Sequence, residues 1–528
     1  MLKFNIELCE IHNQQRSNSM TKRFVSILLA LILASSAMIS CSESKENADE
    51  TTQAGIADTS AQAADNSGES TAETEELTAL QIRQAIPDDL PAVTFDGRSF
   101  KMGTDASKEY EIRSEELTGE NTNDEVYERN LRIEDRFDTK IEAVVVASPY
   151  NDVVTAATAG TASYDMVGFI NFEAEIPIAA KALYNWFDIP VYNPEKPWHN
   201  ELANSGSTIN NKRFTDNSDL SITTLLYTYG MFFNYQIMER YNFTSEDLYN
   251  IVFEGKWTID KFQEITSTIY EDANGNGVHD NEDVHGYAIT STAVNTHDVW
   301  LGALDLPTLT IITPPDEFTI DLFNERTITG VEKVQKLYYE SDGTLFEKTS
   351  GNWRTIPALF AQSKIAMTQL YFGETTESLS EMEDTYGILP MPKLDEAQEG
   401  YYTNAWDQFT VFAVPLTMPA EDGQFIGTLY EAMCAESYKY VYPAYYDQAL
   451  KSRYSAEPTT AQIIDLIMEG RKLDFTFQFG SKLNSLPYMF RGWVANNTTN
   501  IASQFKKNQK ALGKNVEKLL ESVFMDEE

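Results

Sequence analysis

Thiols, imidazoles and cationic side chains are all scarce in this 528-residue chain, which has three cysteines, five histidines, and 40 Lys and Arg against 81 Asp and Glu. A formal charge of −41 argues against nucleic acid or an anionic membrane face as partner, because either would be repelled. His12 lies near the start, and His279 and His285 flank one acidic loop, so too few histidines remain together for a zinc cluster. The patterns G-x-S-x-G, H-E-x-x-H, G-x-x-x-x-G-K-[ST] and G-x-G-x-x-G are absent. Serine hydrolases, zinc proteases, nucleotide hydrolases and dinucleotide-binding folds thereby lose their simplest sequence support. A glycosidase needs only two carboxylates placed by the fold, and a chain so rich in acids leaves that class open.

What is present at the N-terminus speaks to compartment. From Met20 the chain reads MTKRFVSILLALILASSAMISC, with Lys22 and Arg23 ahead of an apolar stretch from Phe24 to Leu33 and small residues up to Cys41. This is the layout of a secretory signal, too short for a stable membrane span. Met38-Ile39-Ser40-Cys41 resembles a bacterial lipobox, which implies lipidation of Cys41 and removal of residues 1–40; an ordinary signal with an incidental cysteine is the alternative. Cys434 would then be the only unmodified thiol, so the exported chain would have no intramolecular disulfide. Residues 41–91 are poor in aromatics and rich in Ser, Thr, Ala and Glu, the composition of a disordered acidic tether with a reach of about 40 Å. The expected location is the outer face of the bacterial cytoplasmic membrane, held there by lipid on Cys41.

Beyond the tether, short apolar runs alternate with helix-period segments. Strands are expected at Ile141–Ser148, Tyr164–Ile170, Thr223–Asn234, Lys364–Phe372, Tyr386–Pro392 and Phe409–Leu416. Helices are expected at Asn123–Phe137, Tyr150–Ala159, Thr258–Tyr270, Thr327–Tyr339, Gly423–Tyr440 and Thr459–Glu469. Strands separated by helices of this length predict an α/β fold with largely parallel sheets. Within Thr499–Phe524, the residues Ile501, Phe505, Leu512, Val516 and Leu519 fall on one helical stripe.

The loop EDANGNGVHDNEDVHGY, Glu271 to Tyr287, packs carboxylates and amides between glycines. With Asp272 as position 1 of a twelve-residue calcium loop, Asn274 falls at 3, Asn276 at 5, Gly277 at 6, Val278 at 7, Asp280 at 9 and Asp283 at 12. Oxygen donors occupy alternate positions, glycine the sharp bend, and position 7 needs only its carbonyl. The register resembles dockerin and EF-hand loops, with Asp283 in place of the usual Glu, which predicts a weak, structural Ca2+ site. A hydrophilic turn leading into the strand HGYAI is the other reading.

Several segments, in order, resemble the family-1 extracellular solute-binding proteins of bacterial ABC importers, the carbohydrate-associated group. They are PVYNPEKPWHN (Pro190–Asn200), MFFNYQIMERYNF (Met231–Phe243), GKWTIDKF (Gly255–Phe262), YGILPMPKLDEAQEGYYTNAWDQFTVFAVP (Tyr386–Pro415) and ESYKYVYPAYYDQALKSRY (Glu436–Tyr454). The resemblance implies a two-lobed periplasmic-binding-protein-like fold with an interlobe cleft and hinge. Lobe one would comprise residues 92–222 and 405–445, and lobe two residues 223–404 and 446–528. It further implies capture of a carbohydrate, an oligosaccharide above all, and delivery to the membrane subunits of an ABC permease, without catalysis.

A sugar site needs flat aromatic faces for the ring's C–H surface and planar polar groups for its hydroxyls. YYTNAWDQ supplies both, so Asn404, Trp406 and Asp407 are the leading ligand contacts, followed by Trp198, Tyr371, Phe372, Trp300 and Asp298. Trp257 and Trp186 sit in apolar helical contexts and read as structural. A surface glycosidase is the alternative from another class. A peptide or polyamine receptor on the same fold is a third possibility, which the acidic charge keeps open.

Overall fold

The computed structural model describes residues 78–525, apart from 162, 293–294, 349–350 and 446–457. The signal segment, Cys41 and most of the tether lie outside the described residues. The strands are β1 (Arg98–Thr104), β2 (Thr139–Val145), β3 (Met166–Ile170), β4 (Tyr229–Asn234), β5 (Tyr270–Glu271), β6 (Val284–Thr290), β7 (Thr310–Thr313), β8 (Glu317–Thr319), β9 (Thr344–Glu347), β10 (Ile365–Tyr371), β11 (Tyr386–Leu389) and β12 (Thr410–Ala413).

They form two main sheets and a hairpin. The first has the order β12-β3-β1-β2, with β12 antiparallel to β3 and the other pairs parallel. The second runs β11-β4-β10-β6-β5, with β9 also paired to β6. Here β4 is antiparallel to both β10 and β11, whereas β10, β6 and β9 are mutually parallel. The sheets are therefore mixed, not largely parallel as expected. The reason lies in β4 and β12, which enter their sheets from crossing segments, without the helical crossover that a parallel neighbour requires.

Side-chain alternation divides the first sheet between two cores. Val167 and Phe169 of β3 and Val411 and Ala413 of β12 face the larger core, which also holds the second sheet. Met166, Phe412, Phe100 and Met102 face the other, beneath the helices Asn121–Phe137 and Gly423–Glu436. The C-terminal helix Ile501–Leu519 buries Ile501, Phe505, Leu512, Val516 and Leu519, the predicted stripe.

Two expectations are corrected. The tether, expected to reach residue 91, gives way to structure at Thr78. Thr78 and Gln81 form a capping box for the helix Ala79–Gln84, Ile86 and Leu90 pack on the second core, and Asp88 pairs with Arg136 at 2.5 Å. The single strand expected over Thr223–Asn234 is a helix, Ile222–Leu226, followed by β4. Ser221 caps that helix by accepting from the Thr224 amide, and buried Glu111 accepts from both the amide and the hydroxyl of Thr223.

The C-terminal stretch, expected with lobe two, touches the surroundings of both sheets. Its helix Met489–Ala495 packs on the helices Asn295–Ala303 and Glu325–Tyr339, whereas Phe475–Gln478 packs on the turn Asn171–Glu173 after β3. Phe524 closes the arrangement against Phe214, Phe475 and Phe479.

Candidate functional site

Three chain segments cross side by side between the two sheets. Residues 227–229 lead into β4, 403–406 lead towards β12, and 470–472 follow the helix Pro458–Glu469. The Trp406 amide donates to the Tyr227 carbonyl at 2.9 Å, and the Tyr229 amide to the Asn404 carbonyl at 3.3 Å. On the other flank the Thr403 amide donates to the Gly470 carbonyl at 3.0 Å, and the Lys472 amide to the Thr403 carbonyl at 2.9 Å. Each crossing thus finds partners for its backbone groups in its neighbour, and the residues they carry are brought to one place.

An aromatic wall stands over these crossings. Trp406 lies 5.2 Å from Tyr227 and 5.9 Å from Tyr371, ring centroid to ring centroid, and Tyr371 lies 5.6 Å from Tyr227 and 6.0 Å from Tyr229. A cavity of about 320 Å³ opens beside it, bounded by Trp406, Tyr371, Tyr229 and Asn295, by Ile289 of β6, and by Trp353 and Ile356. Trp353 is 41% exposed at the rim, with the Arg354 guanidinium over its ring at 4.2 Å. A smaller recess shares Tyr229, Asn295 and Trp406 and adds Asn404, Asp298, Asp407 and Lys472.

The polar groups of this recess are held in place. Arg491 grips Asp298 with a hydrogen bond from Nε to Oδ1 at 2.9 Å and an ion-pair contact from Nη2 to Oδ2 at 2.6 Å, and stacks on Tyr488 at 4.0 Å. Burial pushes the Asp298 carboxyl well above the usual carboxylate range, and the Arg491 guanidinium opposes that push. Burial also raises Asp407, again against Arg491. Asn404 donates its amide to the Asp298 carbonyl at 3.3 Å. Gly302 makes room for it, since a Cβ there would come within 2.0 Å of Asn404 Oδ1. Lys108 reaches across to the Tyr227 hydroxyl at 3.2 Å.

Of the residues singled out in the sequence, Asn404, Trp406, Asp407, Asp298 and Tyr371 come together here. Three others do not. Trp198 is fully buried in the second core, its indole N–H donating to Glu431 at 2.7 Å. Trp300 and Phe372 are fully buried in the larger core. Tyr227, Tyr229, Asn295, Trp353, Lys472 and Arg491 escaped sequence reasoning. The alternation Tyr227, Tyr229 in YTYG was a usable signal once the segment was recognised as a crossing, whereas Arg491 lies 193 positions from Asp298 and carries no local one.

The loop after β5 folds around Asp272. Its carboxylate accepts from the amides of Gly275 at 2.7 Å, Asn276 at 3.1 Å and Gly277 at 2.9 Å, and Gly275 and Gly277 adopt φ of +71° and +70°. Asn274 and Asn276 both reach Asp280 through their side-chain amides. Asp283 is fully buried and accepts from Tyr270, Ala273 and Asp280. Among the described residues no group of three or more His, Cys, Asp or Glu side chains is arranged to hold a metal ion. A cation here would therefore depend on the Asn274 and Asn276 carbonyl oxygens and the Val278 main chain beside Asp272 and Asp280.

No protein-family model matches the sequence, and no curated protein matches it. Solved structures do match the fold. A cyclo/maltodextrin-binding protein complexed with maltotetraose aligns over 80% of this chain and 97% of its own, with 12% identity and a TM-score of 0.52. The GacH receptor of Streptomyces glaucescens aligns over 82% and 100% of the respective chains with 10% identity and a TM-score of 0.47. An ABC transporter solute binding protein from Thermotoga lettingae, bound with alpha-D-tagatose, aligns over 81% and 100% with 12% identity and a TM-score of 0.47. The chain has the two-lobed, periplasmic-binding-protein-like α/β fold, and the crossing segments with their aromatic wall lie between its two main sheets.

Proposed function

We propose that the protein is the extracellular solute-binding component of an ABC importer and that its ligand is a carbohydrate. The observation that carries this reading is the wall of Trp406, Tyr371 and Tyr227 standing on paired crossing segments beside Asn404, Asn295, Asp407 and the Arg491-held Asp298. Aromatic faces take the C–H surface of a pyranose, and planar amides and carboxylates take its hydroxyls. Residues 92–222 and 405–445 would form one lobe and 223–404 and 446–528 the other, closing on the ligand as a population shift. Lipid on Cys41 would hold the receptor at the outer membrane face, and the closed form would engage the permease. Among the described residues no helix is long and apolar enough to cross a membrane.

A thermal-shift screen of mono- and oligosaccharides, peptides and polyamines tests this reading, since a ligand that binds only the folded state raises Tm by mass action. A rise with one glycan class and no product formation supports it. Rises only with peptides or polyamines would overturn the ligand, and turnover of a glycoside would replace the receptor by an enzyme.

The same preparation tests calcium, which we propose binds the Asp272 loop in a structural role, with Asp272, Asn274, Asn276, Val278 and Asp280 as donors. Asp283 would contribute from position 12 only by giving up part of its present hydrogen bonding. Calcium should raise Tm in the wild type and not in Asp272→Ala. A wild type indifferent to chelator refutes the site.

A further inference from the structure

The cavity beside the aromatic wall contains one group that the sugar-binding reading has not used. Glu374 sits in the short turn Phe372–Thr375 that ends β10, and it lines the 320 Å³ cavity with Tyr229, Tyr371, Trp353 and Trp406. It is 1% exposed, and neither carboxylate oxygen has a hydrogen-bond partner. Its nearest cation, Arg354, stands 3.7 Å away, an ion pair without a hydrogen bond. Arg354 directs its donors elsewhere, to Glu377 at 2.7 Å and to Ser378 at 3.2 Å, and its guanidinium lies over Trp353 at 4.2 Å.

A buried carboxylate stripped of water and left without donors is costly to the free protein. Buried polar groups are otherwise almost always partnered, and a local deficit of this kind at a cavity wall marks a place where something else supplies the partner. The surroundings narrow what that is. Trp353, Tyr371, Ile356 and Pro357 offer apolar faces, while the Tyr229 hydroxyl already accepts from Asn295 and the Tyr371 hydroxyl, which also feels the Glu374 carboxyl, directs its hydrogen bond to Glu377. A carboxylate can only accept, so the missing groups are donors.

We propose that Glu374 is a specificity-determining contact of a second ligand subsite, on the Trp353 side of Trp406, and that it receives two hydrogen-bond donors from the ligand. A vicinal diol of a neutral sugar and the ammonium of an amino sugar both present such donors. The inference rests on the carbohydrate reading for the class of ligand but not for the role of Glu374, which has a test of its own.

That test compares the wild type with Glu374→Gln, first without ligand and then with matched β-1,4-linked tetramers of glucose and of glucosamine. Without ligand, the amide removes one of two buried acceptor oxygens that lack hydrogen-bond donors, and Tm should rise by about 2 °C or more. A fall in Tm would make Glu374 a structural partner of Arg354 and overturn the proposal. With ligand, affinity for the tetramer that binds should drop about 10-fold or more. Unchanged affinity also overturns it. Equal loss for both tetramers identifies hydroxyl donors, and a preference for the glucosamine tetramer that vanishes in the variant identifies the ammonium. If Tm rises in the variant and neither tetramer nor any other sugar binds the wild type, the carbohydrate reading fails while the donor-seeking subsite stands.

Discussion

The amide of Trp406 donates to the carbonyl of Tyr227 at 2.9 Å, and the Thr403 hydroxyl donates to the Tyr229 carbonyl at 3.0 Å, so the two crossing segments are fastened by hydrogen bonds that do not use the indole. The indole is free to serve a ligand because the backbone beneath it is secured without it. Trp406 is only partly buried against the larger core. Trp406→Ala is therefore expected to keep the fold, lowering Tm by a few degrees at most, and to abolish binding of the sugar found in the thermal-shift screen. Titration calorimetry checks this, and an affinity equal to wild type would remove Trp406 from the site.

Gly302 and Asn404 form a second dependence at the cleft. A methyl group at 302 would meet Asn404 Oδ1 at 2.0 Å and Cγ at 2.6 Å, so the amide must swing away from its bond to the Asp298 carbonyl. Alanine is intrinsically the better helix former in the helix Asn295–Ala303 by about 1 kcal/mol, which offsets part of the strain. Gly302→Ala should keep the secondary structure, by circular dichroism, while affinity falls about 10-fold or more, the usual result of misplacing a charged or amide donor. Undiminished affinity would show that Asn404 is not a ligand contact.

Arg491 and Asp298 predict a pH dependence. Removing the guanidinium leaves Asp298 buried without its counter-ion, a loss of about 3–5 kcal/mol for such pairs. In Arg491→Ala the carboxyl, already raised by burial, loses the group that opposed the rise. A carboxyl whose folded pKa lies above its unfolded value of about 3.9 favours the folded state in acid, and that stability is lost as pH rises. The variant should therefore unfold at lower urea at pH 8 than at pH 5, with a steeper difference than wild type. A flat profile would show that Asp298 does not depend on Arg491.

His199 carries the same sign in a higher pH window. It lies fully buried between Asp216 at 2.7 Å and Glu431 at 2.9 Å. Burial alone would lower its pKa, but the two carboxylates outweigh that and lift it to about 10. Asp216 is itself held below the usual carboxylate range despite burial, chiefly by His199. An imidazolium raised from about 6.5 stabilises fully below that value, and its contribution is lost as pH climbs through the folded value. Wild type should lose stability between about pH 7 and pH 10, whereas His199→Gln should start several kcal/mol lower, on the order of 3–5, and show less of that decline. Equal slopes in urea unfolding would contradict the clamp.

Legibility followed the range over which each signal acts. The C-terminal stripe of Ile501, Phe505, Leu512, Val516 and Leu519 is a repeat within one helix, and it is the buried face observed. YYTNAWDQ is a single loop, and Asn404, Trp406 and Asp407 do converge. Trp198, Trp300 and Phe372 show the limit, because an aromatic side chain has the same composition signal in a core as in a cleft. The Thr223–Asn234 segment departs from expectation for a related reason. Its β-branched residues favour a strand, but a distant carboxylate, Glu111, claims Thr223 and fixes a helical turn instead. Glu374 looked like any surface acid, and only the fold shows that its oxygens are dry.

The three crossing segments have one more consequence. Laid flat and hydrogen-bonded edge to edge, they make a strap and not a swivel: such a strap flexes about a line across its width, while twisting it or sliding one ribbon past the next would break main-chain bonds at Thr403, Asn404 and Trp406. Closure of the proposed kind would thereby be reduced to opening and shutting along a single path, with the same alignment reached each time whichever ligand is bound.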